Sequence, residues 1–326
     1  MRPLVVLVGG FLGAGKTTLI VAAARALSGR GVRAAVVLND QAADLVDTEL
    51  VRSRGIAADQ VAGGCFCCRF PELIESLDRL AEGGPEVIFA EAVGSCTDLV
   101  ATTLRPLLRD YPGRFRVAPL TVVLHPAAPF GDPDLDFLAS HQQGEADLLV
   151  ARTVVVGARH VNAVTGEGVG EWLDEILGGT VAAGAHALTV DYVRYAEAEA
   201  ALAWLNARVI ARPRPGLSPA MLVGPVLDRL AAAIPGIVHL KVFTQCETGY
   251  LKAALTASGG EPVVDGALDA SPSDRHEILI NVRAVADPGS LREVVEREFA
   301  AMPARLEWRQ MQCFRPAAPA PYYAVS

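Results

Sequence analysis

Gly9-Gly10-Phe11-Leu12-Gly13-Ala14-Gly15-Lys16-Thr17-Thr18 follows directly on the apolar run Leu4–Val8 and leads into a helix-forming segment, Leu19 to Leu27. A strand, a glycine-rich turn and a helix around G-x-x-x-x-G-K-[ST] are the context in which that pattern marks a phosphate-binding loop. Gly10, Gly13 and Gly15 let the backbone curl until successive N–H groups point at phosphate oxygens, and the positive end of the following helix adds to the attraction. Ala14 and Thr18 complete the turn. Lys16 is placed to reach the β- and γ-phosphates, and the Thr17 hydroxyl to ligate Mg²⁺. An ordinary glycine turn between a strand and a helix needs neither the lysine nor the threonine. The expected ligand is a nucleoside triphosphate, GTP or ATP.

The chain has 326 residues, 51% of them hydrophobic and 20% charged, enough for two domains with buried α/β layers. No apolar run is long enough to cross a bilayer, and the first lacks the basic start and cleavage pattern of a signal peptide. A cytoplasmic protein without a membrane partner is expected. The net charge of -8 leaves no basic field to hold a nucleic-acid backbone, so nucleic acid is not an expected partner either. Three of the six cysteines fall within four residues, and adjacent Cys67 and Cys68 suit thiolate chemistry better than a disulfide framework.

Beyond the first helix, Ala34–Leu38 reads as a second buried parallel strand ending in Asn39-Asp40, at the edge where open α/β sheets bind ligands. Asp40, Asp44 and Asp47 are candidates to contact Mg²⁺ or position the attacking water; the alternative is a solvated acidic loop. Gly63-Gly64-Cys65-Phe66-Cys67-Cys68 then precedes a helix over Pro71–Leu80. Three thiols on a glycine-led loop suit a borderline or soft ion such as Zn²⁺ or Cu(I). Buried free thiols, or a redox pair of Cys65 and Cys68, are the other readings. Glu86–Ala90 is another strand. Glu91 follows where a carboxylate can hold Mg²⁺ or its water, and the Gly94 N–H can sense a γ-phosphate. Ser95 or Thr97 is the expected cap of a helix over Leu99–Leu108, and Cys96 is either a fourth metal ligand or a packed thiol.

GGFLGAGKTT, then GGCFCC, then a strand ending in Glu-x-x-Gly resembles the CobW-like metallochaperone GTPases, relatives of the nickel-insertion GTPases of hydrogenase and urease. The strand end Asn39-Asp40 and the helix start Pro71-Glu72-Leu73 fit the same pattern. The resemblance implies a GTP-hydrolysing protein that binds a transition metal, zinc or cobalt foremost, and delivers it to a client metalloprotein. Carried over by position, Lys16, Glu91 and Asp40 would serve catalysis. Gly10, Gly13, Ala14, Gly15, Lys16, Thr17, Thr18 and Gly94 would bind the nucleotide, Thr17 the Mg²⁺, and Cys65, Cys67 and Cys68 the cargo metal. The family's Asn-Glu-Phe-Gly-Glu is here Asn39-Asp40-Gln41-Ala42-Ala43, without the second acid.

A larger departure follows the strand Ala146–Val150. The family's Asn-Lys-x-Asp, whose acid reads guanine, is replaced by Ala151-Arg152-Thr153-Val154. Only a short interval then separates this strand from Val161–Gly168, which resembles the second guanine-contacting loop, so a helix is lost along with the base code. A site that reads a base by paired hydrogen bonds discriminates by about 10⁴ or more, and that discrimination goes with it. Two readings stay open: a relaxed NTPase that holds the base near Ala163 and on Arg152 or Arg159, or a scaffold that binds metal or a partner without hydrolysis.

The expected organisation is a P-loop domain over 1–180, a linker over 181–188, a smaller α+β domain over 189–302 and a proline-rich tail over 303–326. In the first, helices cover both faces of a mostly parallel sheet. Phe115–Leu124 reads as a strand of that domain. In the second, Val238–Gln245, Tyr250–Thr256 and Glu277–Val285 alternate as strands, and Leu291, Val294, Val295 and Phe299 make one helix stripe. The resemblance implies a ferredoxin-like arrangement with a strand within Tyr192–Ile210, where composition also suits a helix. His239, His276, Cys246 and Cys313 read as packing or surface residues.

Overall fold

The computed structural model describes residues 2–41, 46–256 and 260–323. Two compact units share the chain: Met1–Gln41 with Val51–Glu199 and Ala318–Ser326, and Ala42–Leu50 with Ala200–Ala317. Asp44 lies outside the described residues. No helix among them is long and apolar enough to cross a membrane.

Along the chain come β1 (Leu4–Gly9), α1 (Lys16–Gly29), β2 (Ala34–Asp40), α2 (Val46–Ser53, of which only Val51–Ser53 belong to the first unit), β3 (Ala57–Ala62), α3 (Phe70–Glu82) and β4 (Val87–Glu91). After a π-helical turn at Val100–Leu104 come α4 (Arg105–Asp110), β5 (Arg116–Val117), β6 (Thr121–Val123), α5 (Pro133–Gly144), β7 (Leu148–Ala151), β8 (Arg159–His160), α6 (Val169–Gly178) and α7 (Tyr192–Ala200). The strands lie in the order β3-β2-β4-β1-β6-β7-β8, with β5 also beside β1, and every ladder is parallel. Strands β1 and β4 are buried throughout, as continuous apolar runs in a parallel sheet must be. Trp172 of α6 is buried with its indole N–H donating to the Thr121 hydroxyl at 3.1 Å, so its polar edge is satisfied.

Two local expectations are corrected. Phe115–Leu124 is not one strand: Ala118-Pro119-Leu120 interrupts it, and a proline cannot supply the ladder N–H. The helix expected from Leu99 opens with the π-helical turn, and neither Ser95 nor Thr97 caps it, because Asp98 at φ 65° turns the chain first.

In the second unit β9 (Leu202–Pro213), α8 (Pro219–Ala233), β10 (Ile237–Cys246), β11 (Gly249–Leu255), β12 (Val263–Gly266), β13 (His276–Val285), α9 (Pro288–Ala300) and β14 (Ala304–Phe314) form one antiparallel sheet, ordered β12-β11-β10-β13-β9-β14. Without the β11–β12 hairpin this is the βαββαβ order of a ferredoxin-like domain. Alternate β9 residues Ala203, Leu205, Ala207 and Val209 pack with Leu222, Val226 and Leu230 of α8 and with Leu291, Val295 and Phe299 of α9. Tyr192–Ile210 is helix and then strand, so each reading of it holds for a part. The division differs from the expected 189–302 domain and 303–326 tail: Ala304–Phe314 pairs along β9, where alternating exposure had hidden a strand.

The second unit also includes residues 42–50, which follow β2 in sequence. Val46 packs with Phe243 and Leu279, and its N–H donates to the Asn281 side-chain oxygen at 3.0 Å. Asp47 meets the Lys241 ammonium at 2.5 Å and that of Lys252 at 3.6 Å. Burial alone would raise its pKa, but the two lysines hold the carboxyl well below the usual range. The expectation that Asp47 serves Mg²⁺ is therefore corrected: it is a buried counter-ion of the second sheet.

Candidate nucleotide and metal site

The phosphate loop joins β1 to α1. Gly10, Gly13 and Gly15 all have positive φ, at 132°, 83° and 102°, which side-chain-bearing residues rarely adopt. A Cβ on Gly10 would lie 2.5 Å from the Val123 carbonyl oxygen, whereas one on Gly15 would meet nothing within 4 Å. The loop is thus packed against β6 at its base and open at its mouth, and α1 begins there with the N–H groups of its first turn. Lys16 is buried, its ammonium donating to the Gly10 carbonyl at 2.8 Å and more weakly to that of Phe11 at 3.4 Å. Thr18 is the next residue but one in α1. These features fit a triphosphate.

Registers Val8↔Glu91 and Leu38↔Glu91 set Glu91 between the ends of β1 and β2. The Thr17 hydroxyl donates to its carboxylate at 3.0 Å. A hydroxyl and a carboxylate meeting beside a phosphate cradle are the oxygen donor set that suits Mg²⁺. Asp40 ends β2, half-buried, two residues beyond the Glu91 register. Gly94 is packed so closely that a Cβ there would lie 2.9 Å from the Leu12 nitrogen, which ties the loop after β4 to the phosphate loop.

Cys65, Cys67 and Cys68 lie together, their sulfurs within 4.8 Å of one another, and could hold a metal ion. Cys65 and Cys68 sulfurs are 3.3 Å apart, those of Cys67 and Cys68 3.6 Å. Asn39, at the end of β2, fixes this loop. Its amide donates to the carbonyls of Val61 at 3.0 Å and Gly64 at 2.7 Å, and its oxygen accepts from the Phe66 N–H at 2.8 Å. Sequence reasoning noted Asn39 only as part of a strand end; its role depends on partners 22 to 27 residues away. Asn39→Ala would strand three buried backbone groups, and a loss of about 3 kcal/mol in urea unfolding is expected.

From the other side residues 318–323 run over the same loop. The Ala320 N–H donates to the Cys68 sulfur at 3.2 Å and the Tyr322 N–H to the Cys67 carbonyl at 2.8 Å. The rings of Tyr322 and Tyr323 lie on Phe70. Hydrogen bonding with Cys65, then burial, pushes the Cys68 thiol up to about 11, and the Cys67 thiol is raised by the same neighbours. Cys96, buried beneath the loop, differs: hydrogen bonds from Cys65 and Cys67 lower it to about 7.

His125, just after β6, was missed. Its Nδ1 accepts the Ala127 N–H at 3.1 Å, and its ring packs on Phe11 and Phe130. Burial, then the charge of Lys16, lowers its pKa to about 4, so the imidazole beside the phosphate loop is neutral. The signal available in sequence was a histidine at a parallel strand's C-terminal end.

At the base end, β7 and β8 pair in parallel with only residues 152–158 between them and no helix, far shorter than the usual crossover. Arg159 forms two hydrogen bonds to Glu175, at 2.9 and 2.8 Å, instead of standing ready to stack. Arg152 is exposed, and its carbonyl lies 3.0 Å from His160 Nε2. Ala163 sits in a turn in which the Asn162 side chain accepts from Val164 and Thr165. Outside this region, His276 bonds the Leu217 carbonyl, Cys246 contacts Thr248, Cys313 donates to the Pro288 carbonyl, and His239 is buried.

Residues 4–152 match the model of the CobW/HypB/UreG nucleotide-binding domain. No curated protein matches the chain significantly. Among solved structures, the Zn(II)-bound YjiA GTPase from E. coli is 13% identical, with 91% of this chain and 99% of that one covered at a TM-score of 0.31. HypB from Helicobacter pylori in complex with nickel is 15% identical, with 55% and 86% covered at 0.37. HypB from Archaeoglobus fulgidus is 21% identical, with 54% and 89% covered at 0.36. The assignment rests on the match over residues 4–152 and not on these superpositions. Residues 4–152, a little under half of the chain, therefore carry a domain similar to the CobW/HypB/UreG nucleotide-binding domain.

Proposed function

We propose that this protein is a nucleotide-driven carrier that loads a thiophilic transition metal, zinc or cobalt foremost, and passes it to a client metalloprotein. The observation that carries the reading is the common anchorage of the two sites. Asn39, immediately before Asp40, holds the Cys65–Cys68 loop, and the loop after Glu91 packs Gly94 against the phosphate loop at Leu12. Gly10, Gly13, Ala14, Gly15, Lys16, Thr17 and Thr18 bind the phosphates in this reading. Thr17 ligates Mg²⁺, Glu91 holds the ion or its water, and Gly94 senses the γ-phosphate. Asp40 orients the attacking water, and Cys65, Cys67 and Cys68 hold the cargo.

When bound, Mg²⁺ neutralises charge on the phosphates. Lys16 leaves its own loop carbonyls to meet them. Loss of the γ-phosphate relaxes the Asp40 and Gly94 segments, and the thiols they adjoin change geometry and metal affinity with them. GTP is the proposed nucleotide by family, with the base held without a carboxylate. The short β7–β8 connection favours a second reading as well, a metal-binding module that does not hydrolyse.

The test is linkage. Zinc affinity, measured by chelator competition with Mg²⁺ and either GDP or a non-hydrolysable GTP analogue, is expected to differ at least about tenfold between the two nucleotides, or about 1.4 kcal/mol of coupling. Equal affinities would remove the nucleotide drive. Failure to bind either nucleotide would leave the metal-binding module.

A further inference from the structure

The chain returns to the thiol loop from its far end. Residues 318–323, Ala-Pro-Ala-Pro-Tyr-Tyr, belong to the first unit, although β14 before them belongs to the second. Both alanines precede a proline, and such residues avoid the helical region, so the segment is biased to an extended course before it touches anything. Exposure alternates along it: Ala318, Ala320 and Tyr322 are exposed, whereas Pro319, Pro321 and Tyr323 are half-buried. Proline has no N–H, which leaves Ala320 and Tyr322 as donors two residues apart. Both donate to the cysteine loop, Ala320 to the Cys68 sulfur at 3.2 Å and Tyr322 to the Cys67 carbonyl at 2.8 Å. The seat is aromatic and cationic. Phe70, the first residue of α3, is 1% exposed; the Tyr323 ring meets it edge-on at 5.0 Å and the Tyr322 ring lies 15° from parallel at 6.3 Å. The Arg109 guanidinium stands 5.4 Å from the centre of the Tyr323 ring. Of the three clustered cysteines Cys68 is the least buried, so the segment lies over the thiol that solvent reaches most readily.

We propose that residues 318–323 are a removable strap on the cargo site, with Ala320 a positioning residue for the Cys68 ligand. The inference rests on the reading of Cys65, Cys67 and Cys68 as metal ligands, and adds what holds the third of them and what uncovers it. An ion that displaces the Cys68 proton leaves negative charge on the sulfur, and an N–H donor is worth more to a thiolate than to a thiol. The Ala320 N–H is thus the kind of outer contact that orients a metal ligand and offsets its charge.

The coupling runs both ways. Metal loading tightens the strap, and the seated strap tightens the metal by the same factor. Tyr322 is 60% exposed and the anchoring rings lie at one end, so the segment lifts without opening the parallel sheet. With the strap lifted, a donor of the client bonds to the ion as the Cys68–ion bond breaks, and the freed thiolate takes a proton from solvent. The cargo is held while the strap is down and handed on when it rises.

Zinc release to a chelator is the test, followed by stopped flow on the full-length parent loaded with one equivalent under reducing conditions. Truncation after Ala317 and the substitution Ala320→Pro should each speed release and weaken zinc binding about 10- to 100-fold, the usual effect of removing an outer partner of a metal ligand. Ala320→Ser, which keeps the N–H at an exposed position, should restore the parent rate. Slow, parent-like release from Ala320→Pro beside fast release from the truncated chain would overturn the positioning role of Ala320. Parent-like release from both would overturn the strap and leave the three-cysteine metal site standing. A parent that binds no zinc would overturn that metal site instead. The strap is then read on the metal-free protein by peptide mass spectrometry: iodoacetamide should modify Cys68 about tenfold faster after truncation, as a covered group does once its cover is gone. Equal rates there would overturn the strap as well.

Discussion

Lys16→Ala is expected to weaken binding of Mg²⁺-GTP and Mg²⁺-ATP alike by at least about 100-fold, as removal of one charged donor from a preorganised oxyanion cradle does. The side chain is buried and its ammonium lies on the carbonyls of Gly10 and Phe11. No other cation reaches that position from the loop itself, since residues 9–18 contain a single basic residue. Isothermal titration with both nucleotides reads the effect, and Lys16→Arg separates charge from fit. Arginine keeps the charge but is too long and planar for a cradle built around a point charge, so it should restore little. Zinc binding without nucleotide should be unchanged. An alanine variant that binds nucleotide like the parent would mean that the loop is structural only.

Replacing Cys65, Cys67 and Cys68 together with alanine is expected to lower zinc affinity by at least about a thousandfold, a modest share of the roughly 10–16 kcal/mol that thiolate-rich sites supply at neutral pH. Chelator competition measures it. The pH dependence carries a sign. Near neutral pH the Cys68 thiol, pushed up to about 11, is protonated, and so is Cys67. Zinc has to displace those protons, so affinity rises with pH, about tenfold per unit for each proton released. An affinity flat from pH 6 to 8 would argue that the thiols are not the ligands. The triple variant should also still bind nucleotide, because none of the three residues lies in the phosphate loop.

The parts that were legible in the sequence are those encoded over short stretches. A P-loop is written in ten consecutive residues because each glycine answers a backbone demand at its own position, and Gly10, Gly13 and Gly15 do have the positive φ that such a loop needs. The lost helix was legible for the same reason: the interval between two recognisable segments was too short to hold one, and seven residues do join β7 to β8. What stayed hidden depends on partners distant in sequence. Nothing near Asn39 says that its amide meets Val61 and Gly64, and nothing near Asp47 that two lysines some two hundred residues on are its counter-ions. Strand β14 was hidden differently. Its alternation of half-buried and exposed positions carries too few apolar residues to declare an edge strand, and the prolines after it suggested a tail.

That Val46–Leu50 belong to the second unit has a genetic consequence. Neither unit is encoded by one uninterrupted stretch: the first needs three pieces of the gene and the second two. A fragment beginning at residue 200 would lack the Val46 side chain that packs on Phe243 and Leu279, and would leave Lys241 and Lys252 without the Asp47 carboxylate that both meet. The two halves therefore cannot be inherited, excised or exchanged as cassettes; a recombination event that moves one of them must carry part of the other.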